Sequence, residues 1–121
     1  MSDIPSWVGT KLGDHEGVRV GVVCDVFFDD ANSRPAWLLV NLLRMGERYA
    51  VVPAQGARSW RGMVTVPYER DHIRASPTVA PDATLCGDLL ASLARHYGVR
   101  VDRRAGFAAV HGAARAAAAA A

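Results

Sequence analysis

Lysine is almost missing from this 121-residue chain: Lys11 is the only one, and nearly all the positive charge is arginine. Together with an excess of alanine, that skew reads as a high-GC coding bias rather than a functional device. Net charge is also small, +2 at pH 7. A dedicated nucleic-acid or polybasic membrane binder clusters excess positive charge, so no DNA partner is expected. Cysteine is scarce. Cys24 and Cys86 lie far apart in sequence, and a disulfide would need the fold to bring their Cα atoms together. Long apolar runs are absent too. The longest, Ala36 to Leu43, is interrupted by Asn41 and falls well short of the ~20 residues of a membrane span. The N-terminus, Met1 to Ser6, is polar and carries Pro5, so it lacks a secretory apolar core. These absences lead to the expectation of a cytoplasmic protein with free thiols and no membrane span.

What is present is a folding sequence: half of the residues are apolar, and the length suits a single domain with a modest core. Two valine-rich runs end on proline, Tyr49 to Pro53 and Met63 to Pro67. Proline cannot donate to a sheet ladder, so each marks an abrupt strand end. Upstream, Trp7 to Gly13 reads as a brief strand before the turn Asp14-His-Glu-Gly17, where Gly17 is free to take positive φ. Val18 to Asp29 is rich in β-branched and aromatic residues, with an apolar phase change at Cys24 and Asp25 that predicts a bulge or a bend near Gly21. Asp30 to Pro35 is a polar loop, Ala36 to Leu43 a strand buried on both faces, and Arg44 to Arg48 a hairpin connection. Ala54 to Gly62 reads as a loop, and Tyr68 to Ser76 as a polar turn with room for one helical turn before Pro77. Strands joined without helical crossovers favour an antiparallel all-β unit.

After Pro77 the composition changes. Asp82 to Gly98 predicts a helix, capped by Asp82 or Thr84. Leu85, Leu89, Leu93 and Tyr97 fall on one stripe, joined by Cys86 and Leu90. Arg95 and His96 suit the last turn, Gly98 suits the C′ stop, and Gly87 lowers the helix propensity. From Arg103 the chain becomes arginine, glycine and alanine, which predicts a flexible tail. The expected organisation is therefore a β domain over 1–80, a helix and short extension over 81–102, and a tail over 103–121.

Gly17 to Asp29, Arg34 to Val40, Arg48 to Pro53 and Val64 to Pro77, in this order and spacing, resemble the PRC-barrel family. That family includes the cytoplasmic domain of the photosynthetic reaction-centre H subunit, the C-terminal domain of a ribosome-maturation factor, and many stand-alone bacterial proteins. The resemblance covers roughly residues 7–80. It implies a mainly β fold, a small, mostly antiparallel barrel, here with a C-terminal amphipathic helix. It also implies a non-enzymatic adaptor or assembly module that docks on a protein partner or on a second copy of itself, and it carries over no catalytic residues. With no transmembrane helix and no second barrel read ahead of the motif, neither a reaction-centre role nor the full ribosome-maturation architecture is expected.

The residues themselves suggest no reaction. His15, His72, His96 and His111 match no local zinc spacing. Asp25, Asp29 and Asp30 could form a weak cation site, but as strand-end carboxylates they more simply accept backbone N–H groups. Glu69 and Asp71 read as caps of the turn after Pro67. Ser6, Ser59, Ser76 and Ser92 lack a nucleophile elbow. Cys24 reads as a buried strand residue and Cys86 as part of the helix. No cofactor or metal is expected. The candidate site is Arg58-Ser-Trp-Arg61: Arg58, Trp60 and Arg61 combine hot-spot residue types with cation–π capacity. The alternative is Trp60 folded back as a lid over the barrel mouth. Two other functions stay open, a ribosome- or RNA-associated factor and a small-ligand or metal-binding barrel.

Overall fold

The computed structural model describes residues 7–42, 48–80, 82, 84–101 and 106–109. Seven strands and two helices follow in chain order: β1 (Lys11–Gly13), β2 (Arg19–Asp29), β3 (Pro35–Asn41), β4 (Tyr49–Pro53), β5 (Arg58–Trp60), β6 (Met63–Thr65), α1 (Arg70–Arg74), α2 (Gly87–Tyr97) and β7 (Phe107–Ala109). The strands run β4-β3-β2-β1-β6-β5, and β7 pairs with β2 off this path. β1 and β6 are parallel, while the other ladders are antiparallel.

The sheet is therefore mixed. Among the described residues no ladder joins β4 to β5, so the sheet does not close into the expected barrel. Both ends show why. The outer edge of β4 is met only by an isolated bridge from Tyr49 to Val79. β5 is three residues long and wholly exposed.

The long strand β2 organises the rest. It pairs with β1 near its start, with β3 along most of its length, and with β7 at its end. Its register slips between Arg19 and Gly21 against β1, and between Val23 and Asp25 against β3. These irregularities are the bend and the phase change legible in the sequence. Gly21 has a packing reason as well: a Cβ there would lie 2.2 Å from the Asn41 carbonyl oxygen. Pro53 closes β4 opposite Trp37, whereas β6 stops at Thr65, two residues before Pro67.

The core is one cluster. Leu12, Val23, Val26, Leu38, Val40, Val51, Val52 and Val64 from the sheet meet Ile73 of α1 and Leu85, Leu90, Leu93 and Tyr97 from in and beside α2. α2 turns Leu90, Leu93, Ala94 and Tyr97 inward and leaves Asp88, Ala91 and Arg95 exposed. It begins later than the sequence predicts. Cys86, not Asp82 or Thr84, occupies the N-cap, without a side-chain hydrogen bond. Gly87 enters with φ +58, a conformation that suits glycine. The stop is the expected one: Gly98 is left-handed, and the N–H groups of Gly98 and Val99 donate to Arg95 O and Ala94 O at 3.3 and 3.0 Å.

Two further expectations change. Trp7 to Thr10 form a turn rather than strand, with β1 starting at Lys11. Phe107 to Ala109, inside the expected tail, form β7 against Phe27 to Asp29. Residues 103–105 and 110–121, the remainder of that tail apart from Gly106, lie outside the described residues, as do residues 43 and 102 and residues 44–47 of the expected hairpin connection.

Candidate functional site

Arg58 and Trp60 do not sit in a loop, and Arg61 lies in the tight turn beside them. Arg58 to Trp60 are strand β5, paired with β6 through Arg58–Thr65, Ser59–Val64 and Trp60–Met63. Two residues, Arg61 and Gly62, make the turn with φ +49 and +76. Positive φ at both central residues is the hairpin turn whose twist matches that of the strands. The sequence hides this hairpin because its strands have only three residues each and its first turn residue is an arginine.

The hairpin brings the three candidate residues together. Successive side chains in a strand alternate faces, so Arg58 and Trp60 share one. The Arg61 guanidinium carbon lies 4.7 Å from the centre of the Trp60 ring, within cation–π range. Trp60 is 58% exposed, which rules out its folding back as a lid. Trp37, by contrast, is core at 2% exposure.

A second cluster, missed in the sequence, ties the helices to the sheet. The rings of His72 and His96 stack at 4.2 Å with a 10° interplanar angle. His96 Nε2 donates to His72 O at 2.7 Å. Tyr97 stands edge-on to both, to Tyr68 at 5.0 Å and to Trp37 at 6.4 Å. Burial pushes the Tyr97 hydroxyl up to about 12, with Tyr68 adding to the rise. Ser76 donates to Ile73 O at 2.7 Å, and among the described residues the buried Tyr97 Oη has no hydrogen-bond partner. No local motif could reveal this cluster, because it forms only when α1 and α2 meet.

The remaining polar candidates serve the backbone. Asp14 is buried, and its Oδ1 accepts the N–H groups of Glu16 and Val18 at 2.9 and 2.8 Å. Burial raises its pKa, but these bonds, with the Arg70 N–H and His15, more than offset that and hold it below the usual value. Asp25 is buried inside β2, where it accepts from Val26 N at 2.9 Å, while Asp29 accepts from Ala31 N at 2.8 Å. The three neighbouring aspartates are thus spread along the strand and its exit. No group of histidine, cysteine, aspartate and glutamate suited to a metal occurs among the described residues. Glu69 takes the N-cap position of α1 but makes no side-chain cap, and Asp71 pairs with Arg70 at 3.6 Å on the surface. Neither cysteine forms a disulfide. Contrary to the sequence reading, Cys24 is half-buried, and Cys86 is exposed just before the helix.

Among the described residues two open hollows stand out. One, of about 250 Å³, lies between Asp29, Trp37, Gln55, Arg100 and Phe107. The other, of about 260 Å³, is lined by Asp14, His15, Glu16, Glu69, Arg70 and Asp71. Both are below the usual range for small-molecule sites.

A one-core, mainly β domain with a mixed sheet, a helical cover and an exposed hairpin at one end is thereby defined. The family model of the PRC-barrel domain matches residues 1–73, and the chain belongs to that family. A search of curated proteins found no match. No helix among the described residues is long and apolar enough to cross a membrane.

Proposed function

We propose that this protein is a non-enzymatic adaptor or assembly module that docks on a protein partner through the β5–β6 hairpin at the end of its sheet. The observation that carries the reading is Trp60, more than half exposed on a terminal strand with Arg61 against its ring. Leaving a large aromatic in water at a sheet edge is a liability that a docking contact would remove. Tryptophan and arginine are also the residue types that dominate binding energy at protein interfaces. The same reading takes the sheet as a mostly antiparallel, open form of the family's barrel wall and α2 as an amphipathic helix laid on it. The single parallel ladder and the inward turn of Leu90, Leu93 and Tyr97 support that view. A cytoplasmic setting suits two cysteines that form no disulfide.

Affinity purification of the tagged full-length chain from its source cells, under mild cross-linking, tests the proposal. A stoichiometric partner or a cross-linked dimer is expected, and either should be lost on Trp60→Ala. Recovery of bare monomer alone overturns it.

A further inference from the structure

The ladders joining β2, β1, β6 and β5 decide which side chains share a face, because residues paired across a ladder point to the same side. One row runs Val22, Lys11, Met63, Trp60, and the next runs Arg19, Gly13, Thr65, Arg58. The opposite side, with Leu12 and Val64, is in the core. Arg19 and Val22 are three residues apart and would normally point to opposite faces. The register slip between Arg19 and Gly21 turns both outward.

Lys11, Arg19, Arg58 and Arg61 are all exposed. None of them makes an ion pair among the described residues, where the salt bridges are His15–Glu16 and Arg70–Asp71. Neither row contains an aspartate or glutamate. A chain of net charge +2 thus gathers its only lysine and three arginines around Val22, Met63 and Trp60. Lys11 and Trp60 are two strands apart, or ~10 Å.

We infer that this outer face of β2, β1, β6 and β5 receives an acidic, extended polypeptide segment of a partner protein. The inference rests on the adaptor reading and deepens it by naming the partner's chemistry. Unpaired cations call for a complementary acidic surface, and the arginine fork matches carboxylates. Arginine, tryptophan and methionine together are the composition of protein interfaces. The terminal strand β5 leaves an edge along which an extended segment can lie. Four cations on a nearly neutral chain fall short of the charge a nucleic-acid surface musters.

The test is fluorescence anisotropy of a labelled peptide of alternating glutamate and threonine with the full-length protein, beside labelled oligouridylate and phosphatidylglycerol vesicles. The peptide is expected to bind, and to weaken about tenfold or more as salt rises from about 0.05 to 0.5 M. Arg58→Glu with Arg61→Glu should weaken it by about tenfold or more, as should Lys11→Glu with Arg19→Glu, with thermal melting unchanged because all four side chains are exposed. Absence of peptide binding, indifference to both double variants, or tighter binding of the RNA or the vesicles overturns the inference. If affinity purification yields a partner that the charge-reversed variants retain equally, this face is wrong while the adaptor reading stands. If no partner is recovered and no peptide binds, both fail.

Discussion

Tyr97 and Asp14 show how single buried polar groups write the pH dependence of this domain. Among the described residues Tyr97 Oη is buried without a hydrogen-bond partner, so its desolvation is uncompensated. Tyr97→Phe removes it while keeping the ring contacts to His72, His96, Tyr68 and Trp37, and is expected to leave stability unchanged or raise it by about 1 kcal/mol. A loss above that in urea titration would show a hydroxyl bond that matters. The same group sets the alkaline limit. Its folded pKa of about 12 lies above the ordinary value of 10.0, so the unfolded chain gives up its proton first. Stability is full below pH 10 and falls as pH rises from 10 toward 12, by about 2–3 kcal/mol from this residue. Tyr68 is raised in the same direction by its own burial, so Tyr97→Phe should flatten the alkaline decline without abolishing it. Asp14 has the opposite sign. Its depressed pKa gives stability that is present above the unfolded carboxyl value of 3.8 and lost as pH falls through the folded one. Asp14→Ala leaves the N–H groups of Glu16 and Val18 without their acceptor and should cost about 2–3 kcal/mol at neutral pH. In acid titration the variant should lose part of the wild-type decline. The turn around Asp14 was legible in the sequence, down to the positive φ of Gly17 (+82), because the signal is local. The Tyr97 environment was not, since its neighbours come from β3, the segment before α1, α1 itself and α2.

At the level of elements, two glycines separate backbone conformation from packing. Gly98 ends α2 with φ +69 and nothing within 4 Å of where a Cβ would stand, whereas Gly21 has no positive φ, but a Cβ added there would collide with the Asn41 carbonyl oxygen and stand 3.0 Å from Val40 Cγ1. Gly98→Ala should therefore cost only the left-handed penalty, about 1 kcal/mol. Gly21→Ala must push β2 away from β3, at about 3 kcal/mol or more. Chemical denaturation of both variants checks the order, and equal losses would mean that the close approach relaxes freely. Both glycines stood out in the sequence, one as a helix stop and one as a bend, because each ends or interrupts a strong periodic pattern. The start of α2 did not. Asp82 and Thr84 have cap chemistry, but burial of Leu85 ahead of the helix and the left-handed entry at Gly87 delay it. The hairpin at Arg61 and Gly62 was likewise hidden. A three-residue strand carries too little alternation to be read, and the ladder to β6 rather than local preference makes it a strand.

For the whole molecule, the question is whether the helix is an appendage or part of the fold. The order and spacing of the strand motifs made the family legible, and the family model itself ends at residue 73. Motif order could not show how the sheet and helix share one core, since that depends on contacts between distant segments. Leu85, Leu90, Leu93 and Tyr97 are nearly inaccessible and belong to the same cluster as Val23, Leu38 and Val52. Burial of each such side chain contributes about 1.5–3 kcal/mol, so the four together rival the entire 5–15 kcal/mol margin typical of a small domain. Trp37 and Tyr68, which pack on Tyr97, would also face water without the helix. A chain truncated after Ala80 should therefore lose cooperative melting, expose apolar surface to a hydrophobic dye, and lose protection of β3 and β4 amides in hydrogen exchange. The full chain should show one transition in which α2 and the β3–β4 ladder exchange together. A truncated chain that melts cooperatively within a few degrees of the full chain would reduce α2 to an attachment and make the sheet self-sufficient.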